Sequence, residues 1–598
     1  MNLWLWTAVL LIEVTGEVEW WQKTVIYQIY PRSFKDSDGD GIGDLRGIES
    51  KLDYLRDLGI GCIWLSPIFK SPMKDFGYDV SDYYDIDPLY GSLDDFDSLI
   101  SAVKLRGMKL VLDIVPQHTS DQHPWFQKSL ARQDPYTDYY IWADPKGFQE
   151  NGDPIPPNNW ISRFRGSVWQ WSDRRRQFYL HTYLKEQPDT NAYNEGLNNE
   201  FETILQFWLD RGVDGFRVDA INQFAEVEDV YQNEPISGLT NDTGDWKYLK
   251  HTLTVYQPRT LQVLRNWRQI LDNNYSLNNS PKIMMTEVPE NTNFPNEAEL
   301  LMQYYGTDEE PIAHFTFNFR FIEKTLKSGP PTAAHVKEIV KSWFRDRPRP
   351  TCWANWLVGN HDNRRVATRF GVGYVDIMNM IILLLPGTAI VYNGDEIGME
   401  DTDISFEDTV DPRGCRCGPQ RYKICSRDPE RTPMQWSSGP FAGFTDGNVT
   451  WLPVNQNYPQ LNVAAQEEDD DSHLAVFRQL VQLRNLPLIQ EGELHFCDDI
   501  GTTDVFVFLR KLGDHGIAVA VNLGNDSVRL NLSAKLPAKA RVLIRSSHSS
   551  LKDRVKPNDI TSTFAVPVGA KEGIVLEFPV DFVEHVSAQM MTQCCVLF

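Results

Sequence analysis

Eight short apolar segments, each about the length of one strand, constrain this chain more than any other feature. They cover residues 24–30, 62–65, 109–115, 215–220, 282–287, 314–318, 356–359 and 389–392. Amphipathic helical periodicity occupies 45–58, 93–106 and 198–211 between them. Strands alternating with helices at this spacing are βαβ units that feed a parallel sheet. Eight such strands close a (β/α)8 barrel. The predicted fold class is therefore α/β, a TIM barrel with an inserted subdomain after strand 3 and a C-terminal antiparallel β domain. The insertion is expected at 117–186, a stretch rich in Pro, Asn, Trp and Asp and too long for an ordinary connection. From 500 onward, alternating valine-rich runs at 505–509, 517–523 and 541–544 indicate a separate β-sandwich. The expected division is a leader at 1–16, the barrel at 17–116 and 187–499, subdomain B at 117–186, and a sandwich with its tail at 500–598. A chain of 598 residues is too long for a single core, which agrees with this division.

Charge and targeting signals narrow the partners. A formal charge of −24 argues against nucleic acid or an anionic membrane surface, both of which need basic patches. Eighteen Trp suit a site that stacks on flat apolar ligand faces. The apolar run 3–12, followed by Val14 and Gly16, reads as a signal peptide. No other stretch reaches about 18 uninterrupted apolar residues, so a secreted chain with no membrane span is expected. Acceptor triplets at Asn241, Asn274, Asn278, Asn448, Asn525 and Asn531 fit a glycoprotein. The tail 580–598 contains Asp581, Glu584, His585 and Gln589 and lacks the hydrophobic run of a lipid anchor. Its Cys595-Val596-Leu597-Phe598 has the form of a prenylation box, in a chain routed away from cytosolic prenyltransferases. Cys415, Cys417 and Cys425 crowd one polar loop, so a disulfide from Cys425 to one of the other two is expected. Cys62, in an apolar strand, reads as core. The acidic tract 467–471 reads as a solvated loop.

Charged residues at the C-terminal ends of barrel strands face a shared mouth. Here Asp79 follows the second strand, Asp113 and His118 the third, Arg217 and Asp219 the fourth, Glu287 the fifth, and His361 with Asp362 the seventh. Carboxylates, one arginine and two histidines, with no Ser or Cys nucleophile motif, suit acetal chemistry. Glycoside hydrolysis needs one carboxylate to attack or assist water and one protonated carboxyl to release the leaving oxygen. Arg217 is expected to hold Asp219 ionised, and a crowded negative site to keep Glu287 protonated. Asp362 would bind sugar hydroxyls. These residue types alone leave open which carboxylate takes which role. Upstream, Asp36, Asp38, Asp40, Ile42 and Asp44 alternate with glycines as in the first half of an EF-hand loop, although Gly47 replaces the closing Glu. A structural Ca²⁺ is expected there.

The segments Asp113-Ile114-Val115-Pro116-Gln117-His118, Gly215-Phe216-Arg217-Val218-Asp219-Ala220, Thr286-Glu287 and Gly359-Asn360-His361-Asp362 resemble, in order, four signature regions of the α-amylase family, glycoside hydrolase family thirteen. Gln187-Pro188-Asp189-Thr190-Asn191 resembles its fifth region. The blocks 426–436 and 408–412 look most like those of insect maltases in its α-glucosidase branch. The resemblance implies a retaining mechanism with Asp219 as nucleophile, Glu287 as acid/base and Asp362 as transition-state stabiliser. It also implies His118 and His361 as holders of sugar hydroxyls, and Asp79 as the residue closing a blind pocket around a terminal glucose. Arg427 is the expected ion-pair partner of Asp79, with Arg431 as competitor. Ala220 after the nucleophile implies preference for α-1,4 links, and small α-glucosides such as maltose or sucrose are the expected substrates. The family's calcium loop matches 36–44. Three positions depart from the pattern: Gln117 for the usual Asn, Gln223 for a His or aromatic residue, and Thr190 for Leu. Competing readings are an inactive homologue serving as a receptor or transport partner, and an isomerase or transglycosylase with the same catalytic set.

Overall fold

The computed structural model describes residues 18–276, 280–290, 294, 296–323, 329–498, 500, 502–549, 551 and 555–579. The leader at 1–16, the tail at 580–598 with its Cys595 box, and Asn278 lie outside the described residues. The other five acceptor asparagines are all exposed.

Eight parallel strands form one sheet: β1 (Val25–Ile29), β2 (Cys62–Leu65), β3 (Lys109–Ile114), β4 (Gly215–Val218), β5 (Ile283–Thr286), β6 (Phe315–Thr316), β7 (Asn355–Trp356) and β8 (Thr388–Tyr392). Their order is β6-β5-β4-β3-β2-β1-β8-β7, and every neighbouring pair is parallel. These strands are covered on both faces, which explains why they read as continuous apolar runs rather than as alternations. Gly215, which begins β4, is required: its φ is +157° and a Cβ there would lie 2.3 Å from the Ile283 carbonyl oxygen.

Strands β6 and β7 are shorter than the runs 314–318 and 356–359 predict. No backbone ladder joins them among the described residues. Asn355 bridges the seam instead, donating from Nδ2 to the Thr316 carbonyl at 2.7 Å and accepting the Asn318 amide at 2.9 Å. A side-chain amide mimics the backbone pattern there, so neither strand needs to be long.

The helical stretch 45–58 is also divided. Helix α1 (Leu45–Ser50) and helix α2 (Leu52–Asp57) meet at Lys51, whose φ of −109° and ψ of 5° interrupt the α geometry. Helix α3 (Leu93–Leu105) starts in a capping box of Ser92 and Asp95, and helix α4 (Glu195–Asp210) is capped by Asn194. Trp208 and Leu205 of α4 pack toward the sheet, and the Trp208 indole donates to the Tyr83 carbonyl at 2.8 Å.

Between β3 and α4, strands Trp142–Ala143, Gln177–Leu180 and Trp169–Ser172 form a small antiparallel sheet. Trp160, Trp169, Phe178 and Leu180 make its own core. Bridges from His118 to Asp189 and from Tyr140 to Thr190 fasten it to the barrel mouth. Beyond the barrel lies a six-stranded antiparallel sheet that starts at Glu493–Phe496, ahead of the change in texture at 500, and runs to Glu572–Phe578. A two-stranded sheet, Val528–Leu530 with Val566–Val568, accompanies it. Arg510 locks this unit to the barrel by donating to the carbonyls of Leu384 and Ile489 at 2.9 and 2.6 Å. In the acidic tract, Glu467 pairs with Arg478 at 2.7 Å and residues 468–470 are exposed, as a solvated segment should be.

Candidate active site

Strand register sets the centre of the site. Arg217 on β4 lies opposite Asp113 on β3 and Met285 on β5. Its Nη1 donates to both Asp113 oxygens at 2.8 Å and to Asp219 Oδ1 at 2.6 Å. Its Nη2 lies 2.8 Å from Glu287 Oε2. One buried guanidinium therefore gathers three carboxyl groups from three consecutive strand ends, and its charge sits 5.3 Å above the Trp64 ring of β2. Ala220 adopts a left-handed backbone, φ +43°, which is costly for a residue with a Cβ. That conformation aims the Ala220 amide at Glu287 Oε2, 2.8 Å away.

Charge in this corner is unbalanced. Burial pushes the Asp219 carboxyl well above its ordinary range, against the pull of Arg217, and Glu287 and Asp113 add to the rise. Asp113 is pushed up to about 7 for the same first reason. One positive charge does not hold three buried carboxylates ionised, so the cluster retains a proton near neutrality. The expectation that Arg217 holds Asp219 ionised leaves out burial and the two other carboxyls, which oppose it.

Asp362 experiences the opposite balance. Its Oδ1 receives Arg431 Nη2 at 2.5 Å and Arg427 Nη1 at 3.3 Å. Although burial opposes ionisation, the two arginines hold the carboxyl far below its ordinary range. His361 and His118 are both neutral, pushed by burial to about 3 and about 4. Gln28 Nε2 lies 2.7 Å from His361 Nδ1, and His361 Nε2 lies 2.5 Å from the Tyr78 hydroxyl, which donates to Asp113 at 3.3 Å.

Asp79 is not where the sequence reading put it. Its carboxylate is fully buried and accepts the Asp75 amide at 2.9 Å, the Lys74 amide at 2.8 Å and the Ser71 hydroxyl at 2.9 Å. It anchors the loop from beneath and has no ion pair with Arg427 or Arg431. Positive φ at Met73, Phe76 and Gly77 folds the loop around Asp79 and brings Asp75 to face Arg427 instead. Arg427 Nη2 meets Asp75 at 2.7 Å and Asp411 at 2.6 Å. Asp75, Asp411 and Tyr78 are site residues that sequence reasoning missed. A second aspartate four residues before Asp79, with Gly77 between them, was the available signal for Asp75.

Glu287, Asp362 and Arg427 line a hollow of about 400 Å³, together with Phe164 and Trp246. Asp219 and His361 are buried next to the lining residues Ala220 and Asp362, their neighbours in the chain. The three departures from the motif pattern keep local partners. Gln117 folds its longer side chain back so that Oε1 accepts from His118 Nδ1 at 2.6 Å, and Thr190 donates to the Pro116 carbonyl at 2.6 Å. Gln223 donates to the Tyr183 hydroxyl at 3.0 Å and accepts from Arg163 Nε at 3.0 Å. The disulfide joins Cys417 to Cys425 at the rim, leaving Cys415 exposed and unpaired.

In the 36–44 loop, carboxylate oxygens of Asp36, Asp38 and Asp40 lie within 4.8 Å of one another. Asp36 also accepts the amides of Gly39 and Gly41, at 2.7 and 2.8 Å. Asp44 is committed elsewhere, to Ser37 and to the first turn of α1 through Gly47 at 2.7 Å.

The model of the α-amylase catalytic domain matches residues 28–492. The chain belongs to the α-amylase family. Within that family it is 45% identical over 576 residues to Maltase 1 of Drosophila virilis, covering 94% of this chain and 88% of the relative. It is 43% identical over 571 residues to a salivary α-glucosidase of Anopheles gambiae, covering 95% of this chain and 94% of the relative. Among solved structures, an α-glucosyl transfer enzyme superposes with a TM-score of 0.80 at 34% identity, over 94% of this chain and all of that one. No helix among the described residues of this family member is long and apolar enough to cross a membrane.

Proposed function

We propose that this chain is a retaining, exo-acting α-glucosidase that removes terminal α-linked glucose from maltose and short α-1,4 oligosaccharides or from sucrose. The observation that carries the reading is the single guanidinium of Arg217 shared by Asp219 and Glu287, which keeps two carboxyl groups side by side at the base of a hollow. Retaining chemistry needs that closeness, with the two groups about 5 Å apart. Sequence identity above 40% to a maltase and a salivary α-glucosidase supports the substrate class.

Glu287 gives its proton to the glycosidic oxygen while an Asp219 oxygen attacks C1, so the C1–O bond breaks and a glucosyl ester forms. Asp362, held ionised by Arg431 and Arg427, takes the sugar hydroxyls and stabilises the positive charge growing on the ring. Water then enters, Glu287 takes its proton, and the ester is hydrolysed with net retention. The Arg427–Asp75 pair stands in the role first given to Asp79, closing the glucose end so that only a chain terminus fits. His118 and His361, both neutral, are each fixed through Nδ1, by Gln117 and Gln28, and would meet sugar hydroxyls through Nε2 in exchange for its present partners.

Asp36, Asp38 and Asp40, with the Ile42 carbonyl, would hold a Ca²⁺ that ties the loop after β1, a structural rather than a chemical part. The apolar run 3–12, read as part of a leader, and the five exposed acceptor triplets support secretion. The decisive assay is purified protein on maltose, isomaltose, sucrose and p-nitrophenyl α-glucoside, beside Asp219→Asn. Glucose release from maltose, lost in the variant, is the expected result; no release from any of the four would refute the reading.

A further inference from the structure

A pocket for neutral sugar has no need of surplus positive charge, and a chain of net charge −24 has few cations to spare. The wall of the hollow nevertheless carries Arg163, Arg413 and Lys247. Their neighbours Arg165 and Arg421 are each locked onto Asp242, at 2.9 and 3.0 Å, and onto Asp245 behind it. Arg163, Arg413 and Lys247 have no such partner: among the described residues none forms an ion pair with a carboxylate.

Arg163 is built into place. Its Nε is spent on Gln223 and its guanidinium lies 4.1 Å from the centre of the Trp246 ring, while Nη2 has no hydrogen-bond partner among the described residues. Burial first, and then the nearby Arg413 charge, hold the Arg163 guanidinium below its ordinary value. Glu287 acts on Arg163, and Asp411, Asp362 and Glu430 act on Arg413, only from beyond ion-pair distance, so an anion seated directly between the two cations would still be favourable. A carboxylate is the natural occupant, because its two oxygens match the planar fork of a guanidinium.

We infer that the mouth of the hollow is an anion subsite, so that the enzyme prefers α-glucosides whose leaving group bears a carboxylate. The inference rests on the α-glucosidase reading and names its substrate class further. The chemistry is unchanged: the bond from C1 to the leaving oxygen breaks, that oxygen takes the Glu287 proton, and the released acid departs with its carboxylate intact while water completes the release of glucose. No additional reactant is required.

Maltobionate and maltitol make a matched pair, because both are α-1,4-glucosides of an open-chain polyol and only the first carries a carboxylate. The ratio of their kcat/KM values, taken within one enzyme, cancels effects on the shared glucose end. The expected ratio is about tenfold in favour of maltobionate, as one good charge-assisted contact allows. It should fall toward one in Arg413→Gln combined with Lys247→Gln, both exposed positions that leave the packed Arg163 in place. It should also fall in about 0.5 M NaCl, where charges a Debye length apart are screened. A ratio near one in the unaltered enzyme would overturn the inference, as would a preference that survives both substitutions and the salt. Maltose cleaved with no such preference would sink only this inference; maltose left uncleaved would sink the α-glucosidase reading and this one together.

Discussion

Two corners of one hollow solve opposite electrostatic problems. Around Asp362, two arginines meet one carboxylate, and the charge is permanent. Around Arg217, three carboxyls meet one arginine, and a proton stays in play. Burial acts in the same direction on both corners; the difference is that Asp362 has Arg431 at 2.5 Å and a share of Arg427, which also serves Asp75 and Asp411, whereas three carboxyls share the one guanidinium of Arg217. The lesson is that a retaining site needs both settings: a carboxylate that never changes its charge, and a pair in which one carboxyl trades a proton while the other attacks.

The comparison breaks most visibly when a member of the proton-trading corner is removed. Asp219→Asn is expected to lower kcat for maltose by about ten-thousandfold, in keeping with loss of a nucleophile. A fall of tenfold or less would mean that Asp219 only assists. Arg217→Met comes next, read as stability: with three buried carboxyls left uncompensated, about 3–5 kcal/mol should be lost in a urea titration. A smaller loss would indicate that the cluster tolerates protonation without its arginine.

Arg427→Lys should sharpen the contrast from the other side. A lysine cannot bridge Asp75, Asp411 and Asp362 at once, so KM for maltose is expected to rise about tenfold with a smaller change in kcat. Equal effects of Asp75→Asn and Asp79→Asn on KM would contradict the assignment of Asp75 to the pocket and Asp79 to the loop. The smallest effect is in the pH dependence of stability. Asp113 is raised in the folded state, to about 7, so its contribution is present below the unfolded value near 4 and lost as pH rises through about 7. Asp362 is lowered, so its contribution is present above the unfolded value and lost as pH falls. Urea midpoints across pH should therefore flatten on the neutral side in Asp113→Asn and on the acid side in Asp362→Asn. The same limb flattening in both variants would erase the distinction.

The barrel was legible because its strands are buried on both faces and leave uninterrupted apolar runs; Cys62–Leu65 has the same bounds in sequence and structure. Strands β6 and β7 were overestimated because Asn355 replaces a ladder with its side chain, something no propensity encodes. The break at Lys51 was invisible for a related reason, since the helical periodicity continues across it. In the site, residues fixed by strand register, Asp113, Arg217 and Glu287, came together as read. Asp79 and Arg427 did not, because which aspartate faces an arginine depends on how an irregular loop turns, and Met73 and Phe76 turn it through positive φ without being glycine. The Cys425 partner was likewise a choice of loop geometry, and Cys417 rather than Cys415 takes it.

The central claim is a covalent bond from Asp219 to glucose. It is tested most directly by incubating the enzyme with 5-fluoro-α-glucosyl fluoride, which slows ester hydrolysis, and mapping the adduct by peptide mass spectrometry. The account predicts one fluoroglucosyl group per chain, on Asp219. A label on Asp362 or Glu287, or full inactivation with no adduct, would contradict it.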